Sequence, residues 1–99
     1  MRWRVEYERQ VKAEIARQLR SGAMTTDDLH ALRDWVNAIL ELGLVSVQTD
    51  KWSDHPLEAE WKGHRAAAFS KSGRVIYRVE DGRLIVTVVR VTATHSYRR

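Results

Sequence analysis

Apolar and polar residues alternate at the start of the chain, with Trp3, Val5 and Tyr7 falling between Arg2, Arg4 and Glu6; this period of two predicts a strand with one buried face. From about residue 8 the period lengthens. Val11, Ile15 and Leu19, with Ala16 beside them, recur at four-residue spacing among Arg, Lys, Glu and Gln, predicting a first helix that ends near Ser21-Gly22. Thr25-Thr26-Asp27-Asp28 then supplies N-cap candidates and first-turn carboxylates. Leu29, Leu32, Val36, Ile39 and Leu40 form the apolar stripe of a second helix, which Gly43 closes. Residues 44 to 63 keep no clear period. A short apolar stretch (Leu44, Val45, Val47) gives way to a polar segment holding Trp52, His55, Pro56 and Trp61, and the whole reads as connecting structure.

After Gly63 the strand pattern returns: residues 64 to 69, a Ser70-Lys71-Ser72-Gly73 turn, residues 74 to 79, an Asp81-Gly82 hairpin turn, and residues 84 to about 93. Residues 84 to 89 are apolar on both faces except for Thr87, as a central strand would be, so the first strand is expected beside it. The expected fold is α+β in the order β-α-α-β-β-β, a single domain over residues 1–99. Two N-terminal helices pack on one face of a four-stranded, mainly antiparallel sheet and leave the other face partly open.

Composition narrows the classes. Ninety-nine residues with 43% apolar content build one core and not two, which excludes a multidomain enzyme. The absence of cysteine removes disulfide scaffolds, thiolate zinc sites and cysteine nucleophiles, and fits a reducing compartment. No apolar run approaches the ~20 residues that span a bilayer, and the N-terminus lacks a signal-peptide stretch. A soluble cytoplasmic protein without membrane contact is expected. Charge is unevenly placed: residues 1 to 50 hold 7 Lys/Arg and 8 Asp/Glu, whereas residues 51 to 99 hold 10 and 5. Thirteen of the 17 cations are arginine, whose planar fork suits phosphate better than the lysine ammonium does.

The basic half would therefore furnish the open sheet face. Arg74 and Arg78 share one parity, Arg90 and Thr92 another, and Lys62, Arg65 and Lys71 lie at the ends of the preceding strand. His55 precedes that strand and His95 follows the last. Arginine, lysine and histidine gathered in this way are what RNA cleavage without a metal requires. The ribose 2′-OH attacks the adjacent phosphorus while a base removes its proton, an acid protonates the leaving 5′-oxygen and cations hold the crowded phosphorane. Trp61, Phe69 or Tyr97 would stack on an extruded base. Each residue also has a plainer role. A histidine before proline more often makes a turn hydrogen bond, arginines on alternate positions more often line a solvated face, and Trp61 and Tyr77 are expected as core anchors. His30 and His64 carry no expected role. There is no Gly-rich phosphate loop, His-Glu-x-x-His pair or Gly-x-Ser-x-Gly elbow, and a metal-binding carboxylate set would have to come from scattered residues such as Asp50, Asp54 and Glu58.

Asp54-His55-Pro56-Leu57, Trp61-Lys62-Gly63-His64-Arg65, Gly73-Arg74-Val75-Ile76-Tyr77, Asp81-Gly82-Arg83-Leu84 and Thr94-His95-Ser96 occur in this order. Over roughly residues 50 to 97 the chain resembles the RelE/ParE superfamily of bacterial toxins from toxin–antitoxin modules, nearest the YafQ branch. The resemblance implies a ribosome-dependent endoribonuclease that cuts mRNA in the A site without metal or organic cofactor. It also implies a cognate antitoxin that wraps the basic surface, with a heterotetramer as one possible assembly. Carried over by position, His55, Arg74 and His95 are the implied catalytic residues. Lys62 and Arg65 would orient phosphate, Lys71, Arg78 and Arg90 would add to the RNA-binding surface, and Tyr97 would replace the aromatic after the last histidine. Two positions depart from the YafQ pattern: Ala68 stands where those toxins carry a histidine, and Ser72 where they carry an aspartate. The alternative on the same fold is a ParE-type toxin that inhibits DNA gyrase and cleaves no RNA.

Overall fold

A computed structural model describes residues 2–94. Its strands are β1 (Arg4–Tyr7), β2 (His55–Pro56), β3 (Arg65–Ala68), β4 (Gly73–Glu80) and β5 (Ile85–Ala93), and its helices are α1 (Val11–Ser21) and α2 (Thr26–Leu42). Among the described residues the strands form one sheet in the order β1-β5-β4-β3-β2. The β1–β5 pair is parallel and the other pairs are antiparallel. The two helices pack on one face of this sheet, the α+β arrangement expected from the sequence, and among the described residues no helix is long and apolar enough to cross a membrane.

The strand count corrects the expectation of four. The extra strand, β2, lies in the segment read as connecting structure, where His55 pairs with Ala66 and Pro56 with Arg65. Two residues show no periodicity, so pairing with β3 alone creates this strand. A proline is tolerated there because β2 is a sheet edge. The Asp81-Gly82 connection also differs: Glu80 pairs with Ile85, and residues 81 to 84 form a 3-10 turn (Asp81–Arg83) followed by Leu84 at φ 55, rather than a two-residue hairpin.

Helix α2 starts in the capping box that its threonine and aspartates signal. Asp28 N donates to Thr25 Oγ1 (3.1 Å), and Thr25 N donates to the Asp28 carboxylate (2.9 Å). Its buried stripe of Leu32, Trp35 and Ile39 meets Val75, Tyr77, Val86, Val88 and Val91 from the sheet, with the Trp35 and Tyr77 rings 5.4 Å apart. Tyr77 is a core anchor as expected. Trp61 is not; Trp35 and Trp52 fill that role instead. Phe69 is likewise buried, so it offers no stacking surface to a base.

Two details decide what faces outward. Ile76 pairs with Arg90 but Tyr77 pairs with Val88, leaving Val89 as an extra residue in β5. This bulge resets the alternation: Val86 and Val88 face the helices before it, Val91 and Ala93 after it, and Arg90 and Thr92 are left on the helix-free face. At the same point β1 leaves the sheet and α1 takes over the β5 edge. Gln10 Nε2 donates to Val89 O (3.2 Å), Gln18 Nε2 donates to Val91 O (2.9 Å), and Gln18 Oε1 accepts from Ala93 N (2.8 Å). Two glutamine amides thus satisfy backbone groups that a further strand would otherwise pair.

Candidate nucleic-acid interface

His55 reaches the sheet through a tightly folded segment. A 3-10 turn (Asp50–Trp52) buries Trp52, Ser53 turns through the left-handed region at φ 51, and Asp54 follows with its side chain fully buried. The Asp54 carboxylate accepts from Tyr77 Oη (2.5 Å) and from Arg65 Nε (2.6 Å), while Gln48 Nε2 donates to Tyr77 Oη (3.4 Å). Burial, and next the bond to Asp54, push the Tyr77 hydroxyl far above the ordinary tyrosine range. Burial draws the Arg65 guanidinium down, but its bond and charge pairing with Asp54 outweigh this and leave it raised. Arg65 pairs with Tyr77 across the sheet and shares its helix-side face. Its Nε is committed to a buried carboxylate on the helix side, while its side chain stays one-third exposed.

His55 itself is exposed and shares the helix-free face with its partner Ala66. Its Nδ1 lies 2.8 Å from Ser53 O, and a carbonyl only accepts, so Nδ1 carries a proton and Nε2 is left toward solvent. The turn hydrogen bond expected of a histidine before proline is present and defines the ring's free atom.

Across this face run two rows of side chains. One joins His55, Ala66, Ile76 and Arg90; the next joins Ala68, Arg74 and Thr92. With strands about 4.8 Å apart and about 6.7 Å per two residues, the His55 and Arg74 Cα atoms stand roughly 12 Å apart. Arg74 Nη1 donates to the carbonyls of Ser70 (3.2 Å), Lys71 (3.2 Å) and Gly73 (2.9 Å), fixing the side chain over its own turn. That turn is held in turn: Ser70 Oγ donates to the buried Asp28 (2.7 Å) and accepts from Gly73 N (2.8 Å). A Cβ at Gly73 would run into the Phe69 ring and the Ser70 hydroxyl, so only glycine fits.

Trp61 lies on the helix-free face, carried by the loop that a Leu57 N to His64 O bond (2.9 Å) closes. The Arg90 guanidinium sits 5.5 Å above its ring, and His64 meets it edge-on at 5.4 Å. His64 Nδ1 is buried without a hydrogen-bond partner. Arg78 is on the same face but bonds Glu8 (2.7 Å), which lowers the Glu8 pKa, so its charge is largely spent. Lys62 and Lys71 are exposed at the rim. The last described residue, Thr94, donates to Ser72 O (3.4 Å) beside the Arg74 turn; His95 and Tyr97 lie outside the described residues.

No family model matches the sequence, and no curated protein matches it either. Solved structures do match. YafQ from E. coli is 23% identical over 90% of both chains with a TM-score of 0.66. A chain of the E. coli DinJ–YafQ toxin–antitoxin complex is 20% identical over 94% of this chain and 93% of its own, with a TM-score of 0.70. The archaeal RelE–RelB complex from Pyrococcus horikoshii gives 17% identity, 94% and 96% coverage, and a TM-score of 0.68. The chain has the RelE-like toxin fold. On this RelE-like fold the sequence picked out the outward residues His55, Arg74 and Arg90, and it missed the buried support beneath them: Asp54, the Tyr77 hydroxyl, Ser70 and Asp28. The directly preceding position in Asp54-His55 was a signal for the first of these. Nothing local signals the Asp28–Ser70 bond, whose partners are 42 residues apart.

Proposed function

We propose that this protein is the toxin of a type II toxin–antitoxin module and acts as a ribosome-dependent endoribonuclease on mRNA in the A site. The observation that carries the reading is an exposed His55 whose Nε2 is free, on the same sheet face as Arg74 and Arg90. His55 takes the proton of the ribose 2′-OH at Nε2 as that oxygen bonds to phosphorus. The 5′-oxygen leaves with a proton supplied by a second carrier, the role proposed for His95. Arg74 Nη2 and Nε, which meet no protein acceptor among the described residues, donate to the phosphate oxygens as negative charge builds. The exposed cations Arg90, Lys62 and Lys71 hold the flanking strand, and Trp61 with its stacked guanidinium offers a shelf to a base. A cognate antitoxin is the proposed partner, supported by the antitoxin-bearing complexes among the structural neighbours.

A second reading has one specific observation in its favour. Ala68 pairs directly with Arg74, so a methyl group stands beside the arginine where the YafQ resemblance expects an imidazole. A gyrase-inhibiting toxin has no use for that imidazole. The deciding experiment adds the purified chain to a reconstituted translation reaction and, separately, to gyrase supercoiling. Cleavage of translated mRNA that disappears in His55→Ala and Arg74→Ala supports the nuclease. Intact mRNA with inhibited supercoiling at stoichiometric protein establishes the alternative.

A further inference from the structure

The segment that presents His55 is organised around a carboxylate that solvent does not reach. Asp54 stands between Ser53, whose carbonyl receives the ring's Nδ1 proton, and His55 itself. Its two oxygens are taken by different elements: Tyr77 Oη from the middle of β4 and Arg65 Nε from the start of β3. Tyr77 is in turn fixed by Trp35 of α2 and by Gln48. Ser53 occupies the left-handed region at φ 51, a conformation that a serine keeps only where its surroundings hold it. A buried ion pair is in itself a poor source of stability. This one joins the core to the two residues that decide which nitrogen of an exposed imidazole bears the proton.

We infer that Asp54 is a positioning residue: clamped by Tyr77 and Arg65, it fixes the turn so that the Ser53 carbonyl selects the Nδ1–H form of His55 and leaves Nε2 as the atom that exchanges protons. The inference rests on the reading of His55 as the proton carrier of the nuclease. An exposed histidine with no such partner interconverts between its two neutral forms, and in one of them Nε2 already holds a proton and cannot accept another. The clamp removes that unproductive form without touching the substrate. It acts from the helix side of the sheet on a ring that faces the other side.

The test is nitrogen NMR of the full-length, 15N-labelled protein above the histidine titration, with the His55 signals assigned by their loss in His55→Gln. The expected result in the unaltered protein is a protonated Nδ1 and a bare Nε2. A mixture of the two forms there overturns the inference without any further variant. In Asp54→Asn and Tyr77→Phe the signals should move toward such a mixture. Because a positioned general base contributes about 10²–10⁴-fold, kcat for ribosome-bound mRNA should fall about tenfold with KM within about twofold. If both variants keep the Nδ1–H form and the original kcat, the clamp has no positioning role. The same conclusion follows if the signals shift but kcat does not, while His55→Ala still abolishes cleavage. Should His55→Ala cleave at the original rate, the nuclease assignment of His55 fails instead, and the NMR result still decides whether the clamp sets the ring.

Discussion

Arg74 and Arg65 show how differently two arginines of one basic segment are used. Arg74 lies on the helix-free face with Nη1 spread over three turn carbonyls, so its remaining donors are aimed before any ligand arrives. Lysine keeps the charge but cannot both bridge the turn and present a second donor pair. Arg74→Lys should therefore lose at least about tenfold in cleavage rate while its thermal midpoint stays near that of the parent, as paired activity and melting measurements would show. Tyr77 supplies a pH prediction. Burial and the bond to Asp54 raise its pKa above the ordinary 10.0, so above that pH the unfolded chain loses a proton that the folded chain keeps. Its contribution to stability is complete below about pH 10 and declines above it. Denaturant titrations across pH 8 to 11 should show this alkaline decline, and Tyr77→Phe should flatten it. At this scale the outward parity of Arg74 was legible in the sequence, because alternation is a local property, whereas that of Arg90 depends on the bulge at Val89. The neutralisation of Arg65 was not, since it depends on a carboxylate 11 residues away that folds beneath the sheet.

The elements divide along the same line. Helices α1 and α2 follow from periodicity and a capping box, both of which operate within a few turns of chain. Strand β2 does not, because two residues acquire strand character only by pairing with β3. The role of α1 was half legible: its apolar spacing gave the helix, while the function of its glutamines appears only where the helix runs beside the β5 edge. Gln18 holds one donor and one acceptor of that edge. Truncation in Gln18→Ala leaves both backbone groups without their partner, at a cost of about 1–3 kcal/mol. A chain of this size should lose roughly 4–8 °C in Tm for each kcal/mol, measurable by calorimetry. Exchange of the Ala93 amide with solvent should accelerate in the same variant, which distinguishes an opened edge from general loosening of the core.

For the whole molecule, the surplus of positive charge in residues 51 to 99 is less available than the count of cations suggests. Arg65 is paired with Asp54, Arg78 with Glu8 and Arg83 with Glu80. Composition gave the sign of the surface but not its free portion, because composition records no pairing and two of the three partners, Asp54 and Glu8, meet their arginines only through the fold. Arg74, Arg90, Lys62 and Lys71 form no ion pair among the described residues. If these four contact single-stranded RNA, affinity should fall about 50-fold between 50 and 200 mM salt, with a log–log slope near −0.7 per contact. Filter binding over that range should give a slope shallower by about 0.7 for Arg90→Ala. Arg78→Ala should leave the slope unchanged, since its charge is already answered by Glu8.

The bulge at Val89 sets which side chains of β5 that surface carries. In β5, whether Val89 takes a place in the ladder decides which side each later residue belongs to. Were Val89 to take a regular place opposite β4, Arg90 and Thr92 would press against the helices and Val91 and Ala93 would turn out to water, whereas a chain lacking Val89 would alternate regularly and keep all four where they are. With Val89 present, the helix-free side of this molecule thus carries Arg90 and Thr92 only because that one residue stands outside the pairing.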